Sequence, residues 1–228
     1  MATIPLAERM RPRSIAEILG QEHLLSEGAV LLKAIRSGRL PSMILWGPPG
    51  VGKTTLARVI AGEMGRSFIP LSAINSGVKD IRDAIDQAKK QRYFDRPGPI
   101  LFIDEIHRFS KSQQDSLLGA VEDGTVTLIG ATTENPSFEV ISALLSRSQV
   151  YVLKPLDEET MRKLIARAIS QDEELKKKKI IIEEDNALLQ ITGGDARKLL
   201  SALEIVTSQD EEPIIINDER VKEAIQQN

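Results

Sequence analysis

Residues 47–55, GPPGVGKTT, fit the spacing G-x-x-x-x-G-K-[ST]. They stand between an apolar tetrapeptide, MILW (Met43–Trp46), and an apolar helical pattern that runs to about Gly65. Strand, glycine-rich turn and helix in that order form the setting in which this spacing binds phosphate. Gly47, Gly50 and Gly52, with Pro48, Pro49 and Val51 between them, let successive backbone N–H groups curl around phosphate oxygens. The start of the following helix adds its partial positive charge. Lys53 is placed to reach the β- and γ-phosphates. Thr54 offers a hydroxyl to Mg²⁺, and Thr55 completes the turn. The chemistry implied is binding of a nucleoside triphosphate, ATP, with Mg²⁺.

A second group of residues extends this to hydrolysis. ILFIDEIHR places Asp104 and Glu105 directly after the apolar run Ile100–Ile103. Acidic residues at the C-terminal end of a buried strand stand where ligands bind in open α/β sheets. Asp104 is expected to hold Mg²⁺, through water, and Glu105 to orient or deprotonate the attacking water. A third run, VTLIGATTENP, ends in two hydroxyls. Thr132 or Thr133 would meet the γ-phosphate or the water there, with Thr133 preferred; the alternative is turn chemistry ahead of Asn135-Pro136. Arg147, in SALLSRSQVYVL, poses a different question. It stands at the mouth of an apolar run with no acid beside it in the sequence.

These residues need a sheet to bring them together. MILW, SFIPL (Ser67–Leu71, weakened by Pro70), ILFI, VTLIGA (Val126–Ala131) and QVYVL (Gln149–Leu153) read as five strands. The continuous apolar runs suit a parallel sheet covered on both faces. Helical patterns alternate with the strands. VKDIRDAIDQAKKQ sets Val78, Ile81, Ile85 and Ala88 on one face. Ser110 and Gln113 form a capping box for a helix expected through Val121, and Pro136-Ser137 open a short one. After Pro155 the pattern turns mostly helical: Asp157–Ile169, Glu184–Ile191, Asp195–Thr207, then III (Ile214–Ile216) and a last helix from about Asp218. The fold class expected is α/β, a five-stranded parallel sheet flanked by helices over residues 1–154, followed by a small helical domain over 155–228.

The chain has 228 residues, 41% hydrophobic and 28% charged, which suits a folded globular protein. It has no cysteine, so disulfides and thiolate metal sites are excluded. No apolar run reaches the ~18–20 residues of a membrane span, so no membrane partner is expected and a cytoplasmic location is. Residues 1–100 carry 15 Lys+Arg against 9 Asp+Glu, a net of +6. Residues 101–228 carry 15 against 24, a net of −9. A polyanion would meet the first part; solvated faces alone would give the same imbalance. Lys79, Arg82, Lys89, Lys90 and Arg92 cluster on one predicted helix, interleaved with Asp80, Asp83 and Asp86 and with no aromatic before Tyr93. That pattern suits contact with a nucleic-acid backbone rather than with bases, and equally a solvated helix face. The KKKK run at Lys176–Lys179 reads as an exposed loop.

Taken together, LAERMRPRSIAEILGQEHLL, LWGPPGVGKTTLA, DEIHRFSKSQQDSLLGAVEDGTVTLIGATTENPSFEVISALLSR and GGDARKLLSALE resemble the RarA/MgsA family of AAA+ P-loop ATPases, whose eukaryotic relatives are the Werner-helicase-interacting proteins. HRFSKSQQD and GATTENPSFEV separate this family from clamp loaders and the RuvB motor. The resemblance covers essentially the whole chain. It implies a DNA-dependent ATPase at stalled replication forks. Its implied partners are forked DNA or single-strand/duplex junctions, the single-stranded DNA-binding protein and other copies of itself, and its implied location is cytoplasmic and nucleoid-associated. It also implies a C-terminal oligomerisation region beyond the helical lid at which this sequence ends. By the same resemblance Arg11, Pro12, Ile18 and Leu19 line an adenine pocket, Arg197 is the lid arginine that reaches the γ-phosphate, and Ser72 restrains Glu105. Arg147 becomes a finger whose partner is a γ-phosphate on another subunit. Without the resemblance, Arg147 reads as a helix-end arginine bonded to its own last carbonyls, and Arg197 as a surface residue.

Two other functions compete. A protein-threading remodeller would carry an aromatic in the loop after the second strand, and SAINSGVKDIR has none. A nucleotide-sensing binding module with little turnover, or a RuvB- or clamp-loader-like motor, would share most of the same residues.

Overall fold

A computed structural model describes residues 4–92, 97–208 and 212–226. The side chain of Arg92 and all of Tyr93 lie outside the described residues. The chain separates into two compact units. One comprises Pro12–Pro48 and Gly52–Leu153. The other comprises the described residues through Arg11, the three residues Pro49–Val51, and the chain from Lys154 onward. The main boundary, between Leu153 and Lys154, falls beside the expected one, and the segments through Arg11 and Pro49–Val51 group with the later residues.

The first unit is built on β1 (Met43–Trp46), β2 (Phe68–Ser72), β3 (Ile100–Asp104), β4 (Thr127–Thr132) and β5 (Gln149–Val152). All pairings are parallel, in the order β2-β3-β4-β1-β5. Ile100, Leu101, Phe102 and Ile103 are all essentially solvent-free, as a central strand covered on both faces requires. Pro70 lies on the edge strand β2, where one side of the backbone needs no ladder partner. In helix Val78–Arg92 the buried face is Ile81, Ala84 and Ala88, with Ile85 packed beside them. Val78, expected on that face, is 40% exposed because it is the helix's first residue and precedes the packed turns.

The capping box at Ser110 forms: Gln113 N donates to Ser110 Oγ, and Ser110 N donates to Gln113 Oε1. The helix expected through Val121 is two short helices, Lys111–Asp115 and Leu118–Glu122. Buried Gln114 anchors the first of them. Its amide donates to the carbonyls of Phe109 and Glu139 and accepts from Ile141 N, tying the first turn to segments on either side.

The second unit contains helices Glu158–Gln171, Asn186–Thr192, Ala196–Val206 and Asp218–Gln226. Asp157 and Asp195 cap two of them through Thr160 N and Lys198 N. It also holds a two-stranded parallel sheet, β6 (Ile180–Ile182) with β7 (Ile214–Ile216). Three residues beside a lysine run carry too little periodicity to mark Ile180–Ile182 as a strand in the sequence. The N-terminal segment belongs to this unit. Leu6 is fully buried, its N–H donates to Glu204 Oε1 at 2.9 Å, and Arg9 Nε donates to Asp172 Oδ2 at 2.7 Å. No helix among the described residues is long and apolar enough to cross a membrane.

Candidate active site

Parallel strands send all their C-terminal ends to one edge, and the chemistry-bearing residues of the first unit follow β1, β3 and β4 there. β4 lies between β3 and β1, so the acids after β3 and the loop after β1 flank the hydroxyls of β4. The loop is stitched to that edge: Gly47 N donates to Thr132 O at 3.2 Å. A Cβ on Gly47 would stand 2.6 Å from the carbonyl oxygen of Leu153, so only glycine fits. Gly50 and Gly52 have φ of 74° and 98°, a left-handed backbone that glycine adopts without strain.

Helix Lys53–Glu63 starts directly from this turn, so its first N–H groups face the loop. Lys53 is 8% exposed, and its ammonium donates to the carbonyls of Gly47 (2.7 Å) and Pro48 (2.8 Å). Those bonds hold the cation inside the curl of the loop. Thr54 and Thr55, next in the helix, are half-buried.

Within the second unit, Ala196 N donates to Gly50 O at 3.1 Å, and a Cβ on Gly50 would run into the Asp195 carboxylate at 1.9 Å. Three residues of the phosphate loop are thus held by the turn that opens helix Ala196–Val206. Arg197 is the second residue of that helix and is exposed. Of the residues expected around adenine, Arg11 lies in the second unit and pairs with Glu8. Pro12, Ile18 and Leu19 lie in the first unit, none fully buried.

Asp104 ends β3 and is half-buried. Among the described residues no three His, Cys, Asp or Glu cluster as a metal cage. One hydroxyl (Thr54) and one carboxylate (Asp104) are hard oxygen donors, and such a small set suits Mg²⁺, which takes one or two protein ligands and completes its shell with phosphate and water. When bound there, Mg²⁺ would supply charge neutralisation to the phosphates.

Glu105 has φ 56°, ψ 45°, a left-handed conformation rare for a residue with a Cβ. Such strain costs about 1–2 kcal/mol and tends to collect at functional turns. Its carboxylate meets His107 Nε2 at 3.3 Å, and Thr132 Oγ1 lies 2.9 Å from His107 Nδ1. Ser72, expected to restrain Glu105, stands opposite Asp104 in the β2–β3 register, and the observed partner of Glu105 is the imidazole. Sequence reasoning did not single out His107. The available signal was a histidine two residues past the acid, in a chain with two histidines. Thr132 is fully buried and its hydroxyl also accepts from Glu134 N, which leaves half-buried Thr133 as the more accessible hydroxyl of the pair.

Arg147 follows helix Ser142–Leu145. The absence of a neighbouring acid holds in the sequence but not in space. Its Nη2 pairs with Glu122 Oε1 at 2.6 Å, and its Nη1 donates to the Ala143 carbonyl at 2.9 Å. Glu122 is the last residue of helix Leu118–Glu122, a proximity that sequence separation hides.

Basic residues Lys79, Arg82, Lys89 and Lys90 of helix Val78–Arg92 are all exposed, as are Asp83 and Asp86. Asp80 is spent on the helix start, accepting from Gly77 N at 2.7 Å.

A strand–loop–helix phosphate cradle, two carboxyl side chains at the end of β3, hydroxyls at the end of the β4 strand and a helical unit define a P-loop ATPase of the AAA type. Residues 43–156 match the profile of the ATPase family associated with various cellular activities (AAA), and the chain belongs to that family. The chain is 50% identical to replication-associated recombination protein A of Haemophilus influenzae, over 91% of this chain and 47% of that protein. Against the Escherichia coli K12 protein of the same name the figures are also 50%, 91% and 47%. It is 45% identical to ATPase WRNIP1 of Dictyostelium discoideum, over 91% of this chain and 24% of that one. Within the AAA family the chain is thus similar to part of proteins named replication-associated recombination protein A. The chain spans about half the length of the bacterial relatives it matches. Among solved structures, the RuvB Holliday junction branch migration motor of Thermotoga maritima superposes with a TM-score of 0.75 at 29% identity, covering 96% of this chain and 72% of that one.

Proposed function

We propose that this chain binds Mg²⁺–ATP in the loop Gly47–Thr55 and hydrolyses it in the service of DNA transactions at replication forks and recombination intermediates. Residues 1–154 carry the chemistry and residues 155–228 serve as the helical lid. The observation that carries the reading is the buried Lys53 inside a glycine loop that hydrogen-bonds to the strand ending in Thr132. Lys53 neutralises phosphate charge, Thr54 and Asp104 hold the metal, and Glu105 acts on the attacking water. Thr133 and Arg197 contact the terminal phosphate, and Arg147 enters the site of a neighbouring copy. Arg11, Pro12, Ile18 and Leu19 bound the adenine. The DNA-directed role is carried over from relatives named for replication-associated recombination, and the expected DNA contact is the basic face Lys79, Arg82, Lys89 and Lys90 with Arg92. Forked or junction DNA, the single-stranded DNA-binding protein and a cytoplasmic, nucleoid-associated setting follow from the same kinship.

Turnover with and without forked DNA tests this. Lys53→Ala should lose nucleotide binding. Glu105→Gln should keep binding and lose hydrolysis by on the order of 10²–10⁴-fold, the usual share of a general base. Wild-type turnover by Glu105→Gln removes it from that role. Full binding with no turnover in the unmodified chain favours the nucleotide-sensing alternative. Neutralising Lys89, Lys90 and Arg92 together should flatten the salt dependence of DNA affinity; an unchanged slope removes this helix from the interface.

A further inference from the structure

The Glu105 carboxylate lies 3.3 Å from the His107 ring, which in turn meets Thr132 of β4. We propose that His107 is a positioning residue for hydrolysis, coupling Glu105 to the backbone that follows Thr133. The inference rests on the reading of Glu105 as the group that acts on water.

The argument begins with packing. A Cβ at Gly130 of β4 would stand 3.0 Å from Ile106 Cδ1. The missing side chain lets the turn Ile106–Arg108 press onto the strand. Thr132, two residues on, faces the same side as Gly130, and there it meets His107. The His107 side chain is 8% exposed and that of Glu105 25%, so the ring works in a largely dry place and the carboxylate at its edge.

Hydrogen-bond bookkeeping then fixes a direction. A neutral imidazole has one donor and one acceptor nitrogen. Nε2 faces a carboxylate, which only accepts, so Nε2 carries the hydrogen. Nδ1 is then the acceptor and takes the Thr132 hydroxyl hydrogen at 2.9 Å, a shorter contact than that hydroxyl's 3.3 Å approach to Glu134 O. The Thr132 oxygen in turn accepts from Glu134 N at 3.0 Å. One polarity runs through all four groups: Glu134 N–H, Thr132 hydroxyl, His107 ring, Glu105 carboxylate. The opposite tautomer would set a nitrogen lone pair against the carboxylate.

The head of this chain is the peptide N–H directly after Thr133. A shift of Thr133 toward a terminal phosphate displaces that N–H and, through Thr132, the ring. At the other end, the 3.3 Å contact to Glu105 is longer than a strong charge-assisted bond of about 2.7–2.9 Å. It is the loosest of the contacts along that route, which leaves the carboxylate the most room to shift. His107 thus aims Glu105 according to the state of the β4 terminus.

The test combines kinetics with a spectroscopic readout that does not depend on turnover. His107→Ala should lower kcat on the order of 10- to 100-fold through misplacement of the base. Nucleotide affinity and KM should stay within about twofold, since no ground-state contact is lost. His107→Gln, whose amide can still donate to Glu105, should recover part of kcat, and Thr132→Val should lower it. In a Glu105→Gln background His107→Ala should add nothing, because the two act as a unit. The chain has two histidines, so ¹⁵N-histidine spectra resolve the His107 ring. The unmodified protein should show the Nε2–H tautomer, and Thr132→Val a mixture. Mixed tautomers indifferent to Thr132→Val overturn the proposal, as does wild-type kcat in His107→Ala when Glu105→Gln is inactive. An equal loss from His107→Ala in both backgrounds also overturns it. Wild-type turnover by Glu105→Gln overturns the reading of Glu105 first and this inference with it. If His107→Ala does not fold, His107→Gln and Thr132→Val decide the matter.

Discussion

Arg9 and Arg147 are each ion-paired within this chain, yet the two pairs are built in opposite ways. The Arg9 side chain is 16% exposed and meets Asp172, Glu174 and Glu204. Asp172 is 2% exposed, takes two bonds from the guanidinium, and also accepts from the N–H groups of Glu174 and Leu175. Arg147 is 42% exposed and meets one carboxylate, Glu122, itself 47% exposed. A buried, multiply bonded charge cannot leave without stranding its partners, whereas an exposed pair gives up little when it opens. Arg9 is therefore a fixed tie between the N-terminal segment and the helices of its unit. Arg147 is parked on Glu122, with a small barrier to being redirected.

The largest effect that would sharpen this contrast is catalytic. In a form that assembles, Arg147→Ala should reduce hydrolysis by roughly 10³–10⁵, the range of a charge-stabilising arginine finger. Nucleotide affinity and thermal midpoint should not change. Mixing it with Lys53→Ala should restore some activity, because intact pockets then meet intact arginines. If sedimentation shows the two variants co-assembled and the mixture stays inactive, the contacts to Ala143 and Glu122 are the whole of its role.

Arg9→Ala should act on stability instead. It strands Asp172 and removes the tie to Glu204, at a cost of about 1–3 kcal/mol, read from the denaturant midpoint. A loss smaller than that of a surface pair would break the contrast.

The same network predicts an acid dependence. Burial pushes the Asp172 carboxyl up, but the hydrogen bonds from Arg9 and from the Leu175 and Glu174 N–H groups outweigh it and hold the carboxyl below its ordinary value. A carboxyl lowered in the folded state contributes stability above its unfolded pKa of about 3.9 and loses it as pH falls through the folded value. Unfolding midpoints should therefore drop below about pH 4, with Asp172→Asn showing a shallower decline.

The smallest expected effect is at Glu122. Glu122→Gln should change stability by less than about 1 kcal/mol, as exposed pairs do, and should not lower turnover. A clear loss of hydrolysis would mean that Glu122 aims Arg147 rather than merely holding it.

The phosphate loop, the acids at Asp104 and Glu105, and the five strands were legible in the sequence because each is a local signal. A glycine spacing, a continuous apolar run and a capping pair depend only on neighbours a few residues away. The helix starts at Asp157 and Asp195 belong to the same class. What could not be read was whatever depends on two distant segments meeting. Glu122 and Arg147 are such a pair, as are Arg9 and Asp172, and Gly50 and Ala196. The short strand Ile180–Ile182 is another case, since only Ile214–Ile216 beside it makes it a strand. His107 lies between these extremes. Its place after Glu105 was visible, but its hold on Thr132 depends on Gly130 admitting Ile106 onto β4. The sequence by itself determined where the glycine loop would form and which strand ends would carry the acids and hydroxyls, because backbone geometry and strand polarity are local properties. Only the tertiary structure decided which charges are paired, which helical segment holds the loop and which ring meets the Glu105 carboxylate, because side-chain partners are chosen by packing across the chain.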